Sequence, residues 1–136
     1  MNTLPRPRLL IALLAGAALL GACAAPPPAA PPPTGLSEVM ARPAERALLD
    51  GMRAYDDGQY EHAEKALRKA LGDGLPSARD RATAHKLLAF ITCTSDRLAD
   101  CQAQFREARA ADASFALSRS EAGHPVWGPV YKSSLQ

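Results

Sequence analysis

The chain has 136 residues, with sixteen Lys plus Arg against fourteen Asp plus Glu and an apolar content of 47%. An excess of two positive charges excludes the strongly basic balance of a nucleic-acid-binding domain, and the apolar share excludes a wholly disordered chain. Aromatics at 5%, beside abundant Ala and Leu, favour helices over a β-sandwich.

The N-terminal segment is the first distinct element. Arg6 and Arg8 precede an uninterrupted apolar run over residues 9–20. As a helix this run reaches roughly 18 Å, short of the ~30 Å hydrocarbon core, so it fits a signal-peptide core and not a spanning anchor. Leu20, Gly21, Ala22 and Cys23 follow. This Leu-small-small-Cys order resembles the lipobox of bacterial lipoproteins. The resemblance implies diacylglycerol on the Cys23 thiol, cleavage after Ala22 and acylation of the new N-terminus. Ala24 stands where an inner-membrane retention Asp would sit, which implies an outer-membrane location facing the periplasm. Removal of residues 1–22 takes Arg6 and Arg8 with it, leaving fourteen basic against fourteen acidic side chains.

Six of the twelve prolines lie between Pro26 and Pro33, within a Pro- and Ala-rich linker that ends at residue 35. Proline lacks the amide donor and restricts its predecessor, so neither helix nor strand is expected there. A polyproline II stalk at ~3.1 Å per residue would extend the twelve residues 24–35 to roughly 37 Å. It reads as a spacer, with a Pro-rich ligand for a partner groove as the alternative.

Residues 36–136 form the folded part, and from Pro43 onward apolar residues recur at helical spacing. The expected first helix begins at Pro43, carries Leu48, Leu49, Met52 and Tyr55, and breaks at Asp57-Gly58. A second is expected over residues 59–71 with Tyr60, Ala63, Leu67, Ala70 and Leu71 inside. The Gly72-Asp73-Gly74-Leu75-Pro76 breaker separates it from a third over residues 77–92, with Ala84, Leu87, Leu88 and Ile91 inward. A fourth covers residues 96–111, carrying Leu98, Cys101, Phe105 and Ala108. The fold class is therefore all-α.

Gly51, Gly58, Tyr60, Ala63, Leu67, Ala70 and Leu71 resemble the tetratricopeptide repeat in residue type and spacing. Leu88, Ala89, Cys101, Phe105 and Ala108 repeat the pattern in a second hairpin, although its turn lacks Gly-x-Tyr and Thr92 replaces the usual aromatic. Small residues at Gly51, Ala63, Ala89 and Cys101 would let paired helices approach, with Leu67 and Phe105 plugging the gap between hairpins. Two such repeats are fewer than the three that usually sustain a stack, so residues 114–136 are expected to cap the last hairpin. Residues 118–121 fit a helix capping box. Val126 to Tyr131 could form a short helix, though Gly128-Pro129 argues for irregular structure.

With Cys23 lipidated, Cys93 and Cys101 remain as a pair across the third turn. A structural disulfide is the leading reading in an oxidising compartment; free thiols or a redox pair are the alternatives, without a Cys-x-x-Cys or thioredoxin-like pattern to support the latter. His85 lies eight residues before Cys93, an unconvincing spacing for zinc. No nucleophile–base pair, phosphate loop or paired-carboxylate motif stands out, so neither enzymatic activity, a small-molecule substrate nor a cofactor beyond the covalent lipid is expected. Partner binding is assigned to Arg53, Tyr55, Lys86 and Phe90 on the first and third helices. In the tail, Trp127 and Tyr131 are assigned to a partner-binding patch, with a rigid turn that docks Trp127 into the stack as the alternative. The lipobox, stalk, helical domain and Gly123-His124-Pro125-Val126-Trp127 tail together resemble small lipoproteins associated with type VI secretion, sometimes called the TssQ type. That resemblance implies a protein partner in an envelope secretion machine. A pilotin, an envelope-assembly factor and a cell-wall-associated accessory are the competing readings.

Overall fold

The structure is a computed structural model that describes Gly35, Glu38 and residues 41–136. The leader, the lipidation at Cys23 and all but Gly35 of the stalk expected over residues 24–35 lie outside the described residues. Within them, six helices follow one another without a strand: α1 (Pro43–Asp56), α2 (Tyr60–Gly72), α3 (Ala78–Thr94), α4 (Leu98–Ala111), α5 (Arg119–Ala122) and α6 (Trp127–Ser133).

Each boundary has a local cause. Pro43 opens α1, where its missing amide costs nothing, and Glu45 and Arg53 suit the two ends of the helix dipole. At Gly58 the chain takes φ +73°, and its amide donates to the Tyr55 carbonyl at 3.0 Å, so the turn into α2 needs a residue free to be left-handed. Ser77 caps α3, its hydroxyl accepting the Asp80 amide at 3.2 Å. Helix α4 starts two residues later than the sequence suggests. Asp96 adopts φ +57° and stays outside the helix, leaving the start to Leu98. The capping box at Ser118 and Glu121 is formed in both directions. Gly128-Pro129 does not prevent a helix, because both residues sit in the first turn of α6, where no intrahelical amide bond is required.

Helices α1 and α2 form one extensively packed hairpin and α3 and α4 a second, while α6 lies against both α3 and α4. Ala63, Leu67, Ala70, Leu88, Ala89, Ile91, Cys93, Cys101 and Phe105 are sealed from solvent at the centre. Thr92 is the buried polar residue among them, and its hydroxyl donates back to the Leu88 carbonyl at 2.8 Å. The long α2–α3 connection is tied down too. Leu75 is buried, and Arg81 Nη1 donates to the Leu75 and Pro76 carbonyls at 2.8 and 2.9 Å.

Tyr60, expected on the inner stripe of its helix, points outward instead, and three other large apolar residues of the helices do the same. Tyr60 is 48% and Leu98 52% exposed, and Leu49 and Met52 also face solvent. Tyr60 and Leu98 each open a helix, directly after the turn that leads into it. Leu49 and Met52 lie away from the buried stripe of Ala44, Ala47, Leu48, Gly51 and Ala54.

Two contacts hold the hairpins internally and to each other. A Cβ on Gly51 would stand 2.8 Å from Leu67 Cγ and 3.1 Å from the Leu67 backbone nitrogen, so only glycine permits this approach of α1 to α2. Between hairpins, Glu64 on α2 takes a two-pronged bond from Arg97 in the α3–α4 turn, at 3.0 and 2.6 Å, and a further one from Arg68 Nη2 at 2.7 Å. The Arg97 bond holds the Glu64 carboxyl down at about 2, against the raising effect of burial and with help from Arg68.

Gly51→Ala gains about 1 kcal/mol of helix propensity but overpacks Leu67, and a net loss of roughly 1–2 kcal/mol is expected in urea unfolding. Glu64 is charged to lower pH when folded than when unfolded. Its contribution is therefore full above about pH 4.5 and fades as the pH falls towards about 2. Glu64→Gln should cost about 1–2 kcal/mol at neutral pH, with Arg97 partly exposed and screened, and should flatten the stability profile across that window. An unchanged acid-unfolding curve would contradict the assignment.

Candidate partner-binding face

The sequence assigns six residues to partner recognition, and the structure sorts them into three places. Lys86 and Trp127 converge on the tail residue Glu121, one on its carboxylate and the other on its backbone carbonyl, and Tyr55 stands near enough for that carboxylate's charge to act on its phenol. Phe90 and Tyr131 are 4% and 8% exposed and belong to the core, and Arg53 lies on a different groove of the first hairpin.

The gathering begins with the capping box. By fixing α5, it sets Glu121 so that its Oε1 accepts from Lys86 Nζ at 2.7 Å. Burial pushes the Glu121 carboxyl up, but the bonds from Lys86 and from the Ser118 amide and hydroxyl outweigh it and hold the group below the usual carboxylate range. The Glu121 carbonyl also accepts the Trp127 indole N–H at 2.9 Å. That bond lays the indole on Phe90, with ring centroids 4.3 Å apart and planes 25° from parallel. His124 covers the other side of the indole, nearly parallel at 3.3 Å, and its Nδ1 accepts the Val126 amide.

Behind this layer, Phe90 and Tyr131 both meet Phe105 edge-on, at 6.1 and 5.2 Å between centroids. The tail thus covers Phe90, and Tyr131 turns inward to fill the space beside Phe105; neither offers surface to a partner in this arrangement.

What stays open is on α1 and the start of α2. Tyr55 is half-buried, with the Tyr60 ring 5.6 Å away. Burial raises the Tyr55 phenol, and the neighbouring Tyr60, Asp56 and Glu121 add to the effect. Met52, one turn earlier, is exposed. An aromatic patch flanked by the Lys86–Glu121 pair can take an apolar side chain together with a polar or charged group beside it. Helix phase alone could indicate Tyr55 and Lys86. It could not indicate Glu121, because that depends on where a 23-residue tail folds back.

Cys93 and Cys101 are joined as a disulfide across the α3–α4 turn, with their Cα atoms 5.1 Å apart. His85 bonds Gln104 Oε1 through Nδ1 at 2.8 Å, and among the described residues no group of three His, Cys, Asp or Glu side chains is placed to hold a metal ion.

Closing a segment with a sequence separation of 8 should stabilise the domain by about 2–3 kcal/mol in the chain-entropy model. Reduction under native conditions is therefore expected to lower the urea midpoint, and non-reducing mass measurement should find no alkylatable thiol at either position. No protein-family model, curated protein or solved structure matches the chain.

Proposed function

We propose that the chain is a non-catalytic adaptor lipoprotein. Its tetratricopeptide-like hairpins would hold a protein partner on the periplasmic side of the outer membrane, as an accessory to type VI secretion. The observation that carries the binding role is the open patch of Met52, Tyr55 and Tyr60 beside the Lys86–Glu121 pair. A non-obligate protein interface combines an aromatic centre with a polar rim, and this patch supplies both. The Leu20-Gly21-Ala22-Cys23 sequence supports the anchor, and the linker over residues 24–35 supports a spacer between anchor and domain. Two or three acyl chains would give durable attachment where one would not. The reading needs no catalysis, metal or cofactor.

The test has two arms. Metabolic labelling should place palmitate on the wild-type chain and not on Cys23→Ala. A pull-down from detergent-solubilised envelopes should return components of the secretion machine, with recovery falling at least about tenfold for Tyr55→Ala combined with Lys86→Ala. Recovery of no envelope component would overturn the adaptor role. Mislocalisation of a single secretin or pilus protein on deletion, with contraction-dependent secretion intact, would replace it by a pilotin. Co-sedimentation with purified peptidoglycan as the sole interaction would replace it by a wall-associated accessory.

A further inference from the structure

A second surface is built on the opposite helical phase of the first hairpin. Between α1 and α2 lies a groove of about 850 Å³. Pro43, Ala47 and Ala66 supply its apolar floor, and Leu49 lines it as an exposed apolar side chain. Its cationic lining is Arg46, Arg53, Lys65 and Lys69, and Asp50 is the one acidic residue lining it. Asp50 Oδ2 is bonded to His62 Nε2 at 2.9 Å, and Lys69 Nζ meets Asp73 at 2.6 Å. Among the described residues, Arg46, Arg53 and Lys65 form no ion pair.

This concentration of charge is local. Beyond Cys23 the chain carries equal numbers of acidic and basic side chains, so net charge does not account for four cations around one groove. The helical spacing explains how it arises: Arg46 and Arg53 stand two turns apart on α1, and Lys65 and Lys69 one turn apart on α2.

The geometry points to this groove as a docking face for a membrane surface rich in anionic phospholipid, with phosphates at the cationic rim and the exposed Leu49 entering the interfacial layer. Charge complementarity selects the class of occupant, because several Lys and Arg around a short apolar floor match a phosphate-bearing surface. Position supports it, since α1 is the first of the six described helices after Cys23. If Cys23 is lipidated, as proposed above, the anchor delivers this groove to the bilayer at high effective concentration and leaves the Tyr55 face directed to a partner.

The experiment uses the chain from Ala24 onward, which lacks any lipid and retains every core residue from Ala44 to Tyr131. It is sedimented with vesicles of phosphatidylcholine alone and with vesicles containing phosphatidylglycerol as about a third of the lipid. Each Lys or Arg near an anionic surface contributes about fivefold to partitioning. Binding should therefore require phosphatidylglycerol, weaken at high salt, and fall at least about tenfold in Arg46→Gln combined with Lys65→Gln. Arg106→Gln combined with Lys132→Gln, away from the groove, should bind as the parent does, and circular dichroism should show all three chains equally helical.

Absence of sedimentation, equal sedimentation with both vesicle types, or equal loss in the control pair would overturn the proposal. So would a concentration-dependent dimer abolished by Arg46→Gln and Lys65→Gln without vesicle binding, which would assign the groove to a second copy. Since the tested chain carries no lipid, a negative result here leaves palmitate labelling at Cys23 to decide the anchor separately.

Discussion

Phe105 is the residue on which the arrangement turns. It is fully buried on α4, with Phe90 of α3 on one side and Tyr131 of α6 on the other, both meeting it edge-on. Two helical hairpins alone would leave Phe105 and Phe90 against water, and covering an aromatic ring is worth a few kcal/mol in a domain of this size. The tail supplies that cover from two points, Tyr131 over Phe105 and Trp127 over Phe90. Its short helices, its capping box and the Lys86–Glu121 bond are ordered around that task. The same docking decides which surface remains for a partner, since a ring that closes the core is unavailable for recognition.

Local chemistry made most of the helical framework legible in the sequence. Pro43, the Asp57-Gly58 turn, the Gly72–Pro76 breaker and Ser77 each act within a few residues, so their effects can be read without tertiary information. The alternation of small and large residues at Gly51, Leu67, Ala89 and Phe105 likewise carries its packing consequence on its face. Where the reading failed, long-range placement was the cause. Periodicity identifies an apolar stripe but not which of its members a neighbouring helix covers, and so it places Tyr60 inside although that residue is exposed. Asp96 in the left-handed region has no glycine to announce it.

The candidate site was less legible than the fold for the same reason. Tyr55 and Lys86 follow from helix phase, yet the group that joins them, Glu121, is 35 residues from Lys86. A capping tail is legible in the sequence, but not that it lays Trp127 on Phe90 and turns Tyr131 onto Phe105, which removes Phe90 and Tyr131 from the surface. The cationic groove between α1 and α2 was in principle readable, since residues 62, 65, 66 and 69 share one face of a helix. What the sequence could not show is that residues 43, 46, 47 and 53 stand opposite them.

The position of the disulfide has a consequence for how the domain matures. The bridge lies wholly within the second hairpin, joining the end of α3 to the start of α4 across their turn, and it fastens neither the first hairpin nor the tail. Two thiols allow one intramolecular pairing, so oxidation has no wrong partner to choose within the domain and no shuffling to undo. The second hairpin can be locked covalently while the segment that will cover it is still arriving. Assembly can then run outward from a fixed centre.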